Sequence, residues 1–389
     1  MKSPTTNPTP SGQWANVALI AMFLVLIWLP TLDTFFHLDH SAPPGENRLP
    51  AALPKMSSFS FAGAQTFIAG LELYFNDHFG FRNSLVRSFQ KEKIGLFHDR
   101  SVYKVFIGQD HFLFWGESQM VEHYLGLEKL SPEQLAAWQR LLEKRRDWLA
   151  QRGIQYYFVV PPDKQDIYPE ELPVWLIQAT PPDRETKLDQ FLKYMKAHST
   201  VPVLDLRPPL IEAKKIQPTY LQNDTHWNSF GAFVAGKTLL DALGVPSPLG
   251  LNNFIHTNAA GINFDMAHML GINPPEQNYY FFQPDSAWPQ LVRREDKNYP
   301  TARGYRDVIT VDNPLSHATT ITLFVDSYGA YWDKFFGYSF KTATFLQDNG
   351  AFDTNLIVQS QSKIVVNEML ERFFNTEDPQ RVAAREGLP

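Results

Sequence analysis

The chain has 389 residues, 44% of them apolar and 14% aromatic, enough to build a sizeable core in one large domain or two modest ones. A net charge of −6, with no Lys/Arg stripe interleaved with aromatics, argues against a nucleic-acid partner. The absence of cysteine excludes disulfides and Cys-held zinc or iron–sulfur centres.

Residues 1–13 are polar and Pro-rich and read as a short disordered cytoplasmic tail. Residues 14–30 (WANVALIAMFLVLIWLP) are uncharged and almost wholly apolar, and Trp14 and Trp28 suit the two interfaces of a bilayer. No small-x-small cleavage site follows, so a transmembrane signal anchor is expected over 14–32. Lys2 precedes the run while Asp33 and Asp39 follow it, which orients the body outside the cytoplasm: a single pass of the inner (cytoplasmic) membrane with the domain in the periplasm. Residues 33–60 are rich in proline and read as a solvated linker, with His37, Asp39 and His40 part of it and not metal ligands.

From residue 61 the pattern alternates between helix and strand. Ser131, Pro132 and Gln134 form a capping-box start, and Leu135, Trp138, Leu141, Leu142, Trp148 and Leu149 recur at helical spacing until Gly153. A strand is expected at 154–160, a helix at 184–198, a strand at 201–206, a helix from Asn228, a strand at 320–325 and another at 363–366. Strands separated by helices of this length imply right-handed crossovers and a mostly parallel sheet with helices on both faces, with its site beyond the carboxyl ends of the strands.

Two stretches at element boundaries carry reactive groups. Asn223-Asp224-Thr225-His226-Trp227-Asn228 precedes an apolar helix, and Asp326-Ser327-Tyr328-Gly329 follows a buried strand. Acyl transfer needs the residue types found here: a serine hydroxyl as nucleophile, a histidine to remove its proton, and a carboxylate to fix the imidazole tautomer. Ser327, His226 and Asp224 supply them, and the backbone N–H groups of Ser327 and Tyr328 are candidates for an oxyanion hole.

These two blocks resemble the catalytic blocks of the alginate O-acetyltransferase family, the AlgJ/AlgX-like branch of the SGNH hydrolases. Residues 74–82 (YFNDHFGFR) resemble its N-terminal signature. Residues 160–170 (VPPDKQDIYPE) resemble its Pro-x-Lys and Tyr-Pro-Glu segment, and residues 367–372 (NEMLER) its closing Glu-x-x-x-Arg-like stretch. Val325 stands where the family usually has glycine. The resemblance implies an α/β, flavodoxin-like SGNH domain over 61–375 and a frayed tail at 376–389, a single-domain membrane-anchored protein. It also implies that Ser327 is the nucleophile, His226 the general base and Asp224 the residue that orients it. The implied activity is O-acetylation of an exopolysaccharide such as alginate. No cofactor or metal is expected, because a multi-spanning membrane acyltransferase delivers the acetyl group. The same triad would also serve an acetylesterase, and a vestigial one a polysaccharide-binding export component.

Several conspicuous residues read as structural. Asp77, His78 and Arg82 suit an ion pair or capping network, Lys164 a solvated loop, and His198, His268 and His317 the surface. Phe112, Phe114, Trp115, Tyr279, Tyr280, Phe281 and Phe282 read mostly as core.

Overall fold

The computed structural model describes residues 10–41, 50–56, 58–95, 101–102, 104–117, 119–258, 264–272, 278–283, 288–348 and 351–386. The expected tail at 1–13 therefore lies outside them up to residue 9, as do parts of the expected linker. The chain divides into two compact units, the first comprising Met1–Val102 and His268–Asn273, the second the remainder.

In the first unit, helix α1 (Pro10–Phe36) starts before the expected anchor and ends beyond it. Its stretch Trp14–Phe36 spans 23 residues whose most apolar window is unburied, long enough to cross a hydrocarbon core that takes about 20 residues. Helices α2 (Phe61–His78) and α3 (Arg82–Gly95) also belong to this unit, so the α/β domain begins at Tyr103 and not at residue 61. The residues after α1 are not a purely solvated linker. Asp33 is buried and accepts from the amides of Asp39 (2.6 Å) and Phe81 (2.7 Å), and Asp39 accepts from the Ser84 hydroxyl at 2.8 Å. Asp77 accepts from Ala51 N at 2.7 Å and pairs with Arg82 at 4.0 Å, which is the structural reading of that motif.

The second unit is built on a seven-stranded mixed sheet. Its strands in chain order are β1 (Gln155–Val160), β2 (Val203–Asp205), β3 (Val292–Thr301), β4 (Gly304–Asp312), β5 (Thr320–Val325), β6 (Thr342–Gln347) and β7 (Ile364–Glu368). Across the sheet they lie in the order β2-β1-β7-β5-β6-β4-β3. The first five in that order run parallel, and β4 and β3 close the edge as an antiparallel hairpin. That hairpin was not legible in the sequence. β3 reads VRREDKNYPT and is almost entirely exposed, so it carries no apolar alternation, and its charges suit an edge that must not pair with another chain.

Alternation along the parallel strands feeds two cores. Leu323 and Val325 of β5 pack with Trp227, Phe230 and Leu239 on one face, while Phe324 packs with Trp138, Phe191 and Leu356 on the other. Helix α4 (Pro132–Ala150) starts with the expected capping box of Ser131 and Gln134, and helix α5 (Lys187–His198) starts with one from Thr186 and Asp189. The C-terminal tail is not frayed as expected. Helix α6 (Pro379–Glu386) buries Val382, and Glu386 pairs with the buried Arg145 of α4.

Candidate active site

β5 and β7 are neighbours with Phe324 opposite Asn367, so Asp326 and Ser327 emerge beside Glu368 at the carboxyl edge of the sheet. There β5 turns sharply. Gly329 allows the turn to fold back, because a Cβ at that position would lie 2.6 Å from Val325 Cγ1 and 3.0 Å from Glu368 Oε2. Room for the turn thus comes from Gly329, four residues after the valine that occupies the family's usual glycine position. Ser327 is the exposed residue of the turn, flanked by the buried Asp326 and Tyr328.

The second segment, 219–228, is a closed loop. Leu221 N donates to His226 O (3.1 Å) and Asn228 N to Thr219 O (2.9 Å), and the Asn228 side chain caps the following helix at Gly231 N (2.9 Å). Two bonds latch this loop to the serine turn: Trp227 Nε1 donates to Tyr328 O at 3.2 Å, and the Tyr328 hydroxyl donates to Thr225 O. His226 Nε2 consequently lies 2.8 Å from Ser327 Oγ, and His226 Nδ1 lies 2.7 Å from Asp224 Oδ1. Asp224 Oδ1 also accepts from the His226 amide at 2.9 Å, so the carboxylate is held in the ring plane's neighbourhood by its own loop.

Asp265, which the sequence reading did not single out, completes the group. It is 41 residues downstream of Asp224 in a segment with no motif of its own, and it adjoins the loop through space. Its amide donates to Asp224 Oδ2 at 2.8 Å, its Oδ1 accepts from Thr225 N at 2.8 Å, and its Oδ2 is 3.7 Å from His226 Nδ1. The two carboxyls titrate apart. Burial would raise Asp224, but hydrogen bonds from His226 and from the Asp265 amide bring it below the ordinary carboxylate range; burial and the Asp224 charge push Asp265 up. Asp224 is therefore the ionised partner of the imidazole. Ligand atoms of Asp224, His226 and Asp265 lie within 4.8 Å of one another, a spacing that is also compatible with a metal ion.

Lys164 departs most from its sequence reading as a solvated residue. It is buried, and its ammonium donates to the carbonyls of Leu221 (2.9 Å), Gln222 (3.1 Å) and Asp224 (2.7 Å). Burial pushes its pKa down to about 7, against the pull of Asp224 and Asp265. Tyr220, in the same loop, donates to Pro162 O at 2.6 Å, and Arg372 pairs with Asp163 at 2.6 Å. The Pro-Pro-Asp-Lys and Glu-Arg motifs thus form the floor of the histidine loop. The Tyr328 amide, expected to face a bound substrate, is turned inward and donates to Asp326 Oδ1 at 2.8 Å, because the aspartate folds its side chain over its own turn. That donor is spent. The Ser327 amide has no acceptor among the described residues.

Residues 105–279 match the SGNH hydrolase-like domain of acetyltransferase AlgX. Over 166 residues the chain is 31% identical to a probable alginate O-acetylase AlgJ of Azotobacter vinelandii, which is 42% of each protein. Over the matched region the chain resembles the AlgJ/AlgX-like family. The fold agrees: Bacillus cereus PatB1 with a sulfonyl adduct superposes with a TM-score of 0.51 at 13% identity, covering 71% of this chain and 96% of that one. A DHHW family protein from Eubacterium siraeum gives 0.50 at 16% identity, covering 73% and 95%. The AlgJ/AlgX-like match includes Asp224 and His226 but ends before Ser327, which sequence motif and geometry alone bring to the site. The chain spans about two-fifths of the length of the Azotobacter relative.

Proposed function

We propose that the protein is an O-acetyltransferase that carries an acetyl group on Ser327 and passes it to a hydroxyl of an extracytoplasmic polysaccharide, alginate or a similar exopolysaccharide. The observation that carries this reading is the unbroken hydrogen-bonded line from Asp224 through His226 to the exposed Ser327 Oγ. His226 Nε2 takes the Oγ proton as Oγ attacks the donor's acetyl carbon, and the proton leaves with the donor group. A sugar hydroxyl then gives its proton to His226 and attacks the acetyl ester; as the ester bond to Oγ breaks, His226 returns that proton to Ser327 Oγ and the acetylated sugar leaves. The Ser327 amide is the nearest candidate donor to the oxyanion.

Likeness to relatives named as probable alginate O-acetylases supports transfer over hydrolysis, as does the apolar helix Trp14–Phe36. A domain tethered at a membrane is suited to receive acetyl groups from a multi-spanning donor, with the body in the periplasm. A reporter fused after residue 389 is expected to be active only in a form that requires export; cytoplasmic activity would reverse the topology. For the chemistry, the protein is incubated with an activated acetyl ester and an oligosaccharide acceptor. Acetylated oligosaccharide should accumulate in preference to free acetate, with the intermediate on Ser327. Free acetate alone, unaffected by acceptor, would make the protein an acetylesterase, and no turnover at all would favour a polysaccharide-binding export component.

A further inference from the structure

We propose that Asp326 and Glu368 share one proton and that this acid pair fixes the turn presenting Ser327, which makes Glu368 a positioning residue for the nucleophile. The inference rests on the reading of Ser327 as nucleophile. Both side chains are buried, at 2% and 1% exposure. Glu368 Oε2 accepts from the Asp326 amide at 2.7 Å and packs close to Gly329, where a Cβ would lie 3.0 Å from it. Asp326 Oδ1 accepts from Tyr328 N at 2.8 Å and its Oδ2 from Leu370 N at 2.9 Å. Two amides of the turn, those of Asp326 and Tyr328, are therefore committed to these two carboxyls, while the amide of Ser327 has no acceptor among the described residues.

Two ionised carboxylates cannot persist side by side away from water, whereas a proton on one turns their repulsion into a hydrogen bond. The Glu368 carboxyl is seated directly on the Asp326 backbone, and its Oε1, fully buried, has no hydrogen-bond partner among the described residues. Burial first and the Asp326 charge second push Glu368 well above the ordinary range; burial raises Asp326 as well. The other charged and titratable groups facing this region are Arg372, Asp163 and the Tyr328 hydroxyl. Arg372 is bound to Asp163 at 2.6 Å and to that hydroxyl at 3.2 Å, so its charge is largely committed. Because the folded state holds this proton more tightly than the unfolded chain does, the stabilisation is complete at acid pH and is lost as pH rises through the raised value. At that point the turn should open.

The test uses the full-length protein in lipid nanodiscs, with infrared spectra and the rate of Ser327 labelling by a sulfonyl fluoride followed across pH. The wild type should show the carbonyl stretch of a protonated buried carboxyl at neutral pH, and Glu368→Gln should remove that component. Wild-type labelling should fall at alkaline pH. Glu368→Gln, which keeps both acceptor and donor, should abolish that fall. Glu368→Ala should lose on the order of a hundredfold in labelling at every pH, the cost of a misplacement near 1 Å, and Glu368→Gln should restore most of it. An unchanged infrared band in Glu368→Gln overturns the shared proton whether or not Ser327 reacts. A lost band with an unmoved alkaline fall overturns the positioning role. Wild-type protein that never labels at Ser327 would overturn the nucleophile reading and the positioning role with it, while the band still reports on the proton.

Discussion

Ser327→Ala and His226→Ala are each expected to lower acetyl transfer by about 10⁴- to 10⁶-fold, with the double mutant little worse than either. The reason is geometric: with Nε2 only 2.8 Å from Oγ, the imidazole has a purpose only while there is a hydroxyl to deprotonate. What remains after either loss is binding and the oxyanion donor, which both mutants retain. Asp224→Asn leaves the loop's shape but offers an amide to Nδ1, which favours the wrong tautomer, and should cost up to about 10⁴-fold. Asp265→Asn should cost less, since its oxygens serve Thr225 and its backbone amide, retained in the mutant, is what holds Asp224. The measurement is initial transfer rate to an oligosaccharide for the single and double mutants. A metal held by Asp224, His226 and Asp265 would produce another pattern: chelator-sensitive activity, restored by added metal and surviving Ser327→Ala.

Lys164→Met should destabilise the protein by about 3 kcal/mol, because carbonyls that accept from the ammonium would be left buried without a donor. The same change should loosen the loop that carries Asp224 and His226 and so reduce transfer. Denaturant unfolding at neutral pH gives the stability, and the transfer rate at saturating acceptor gives the positional effect. A pH series adds a sign. With the folded-state value lowered to about 7 by burial, the unfolded chain binds more protons between there and the ordinary lysine value of about 10.4. Wild-type stability should therefore gain a contribution as pH rises through that window, and Lys164→Met should lack it. Equal pH slopes in the two proteins would place the ammonium in water.

The parts legible in the sequence were those set by local rules. The Ser131 capping box, the apolar run of β5 and the helix start near Asn228 are written in adjacent residues, and the structure has each of them. Asp224, His226 and Ser327 were legible as types at strand and helix boundaries, where α/β sheets gather their sites. The remainder depended on contacts across long stretches of chain. Lys164 looks like a loop lysine until the fold brings the Leu221, Gln222 and Asp224 carbonyls around it. Asp265 has no pattern of its own and matters only through Thr225 and Asp224. The edge hairpin β3–β4 escaped because an exposed edge strand rich in charge has no apolar period to read. The Tyr328 amide was misassigned for a related reason: an aspartate two residues earlier competes for it, and only coordinates show which way the side chain folds.

Trapping the acyl-enzyme bears most directly on Ser327. The protein is mixed with an activated acetyl ester without acceptor, quenched, digested and mapped by tandem mass spectrometry. A single acetyl group is expected on Ser327 Oγ, absent from Ser327→Ala, strongly reduced in His226→Ala, and discharged when oligosaccharide is added before the quench. Stoichiometric acetylation of another residue, or wild-type turnover by Ser327→Ala, would remove Ser327 from the chemistry.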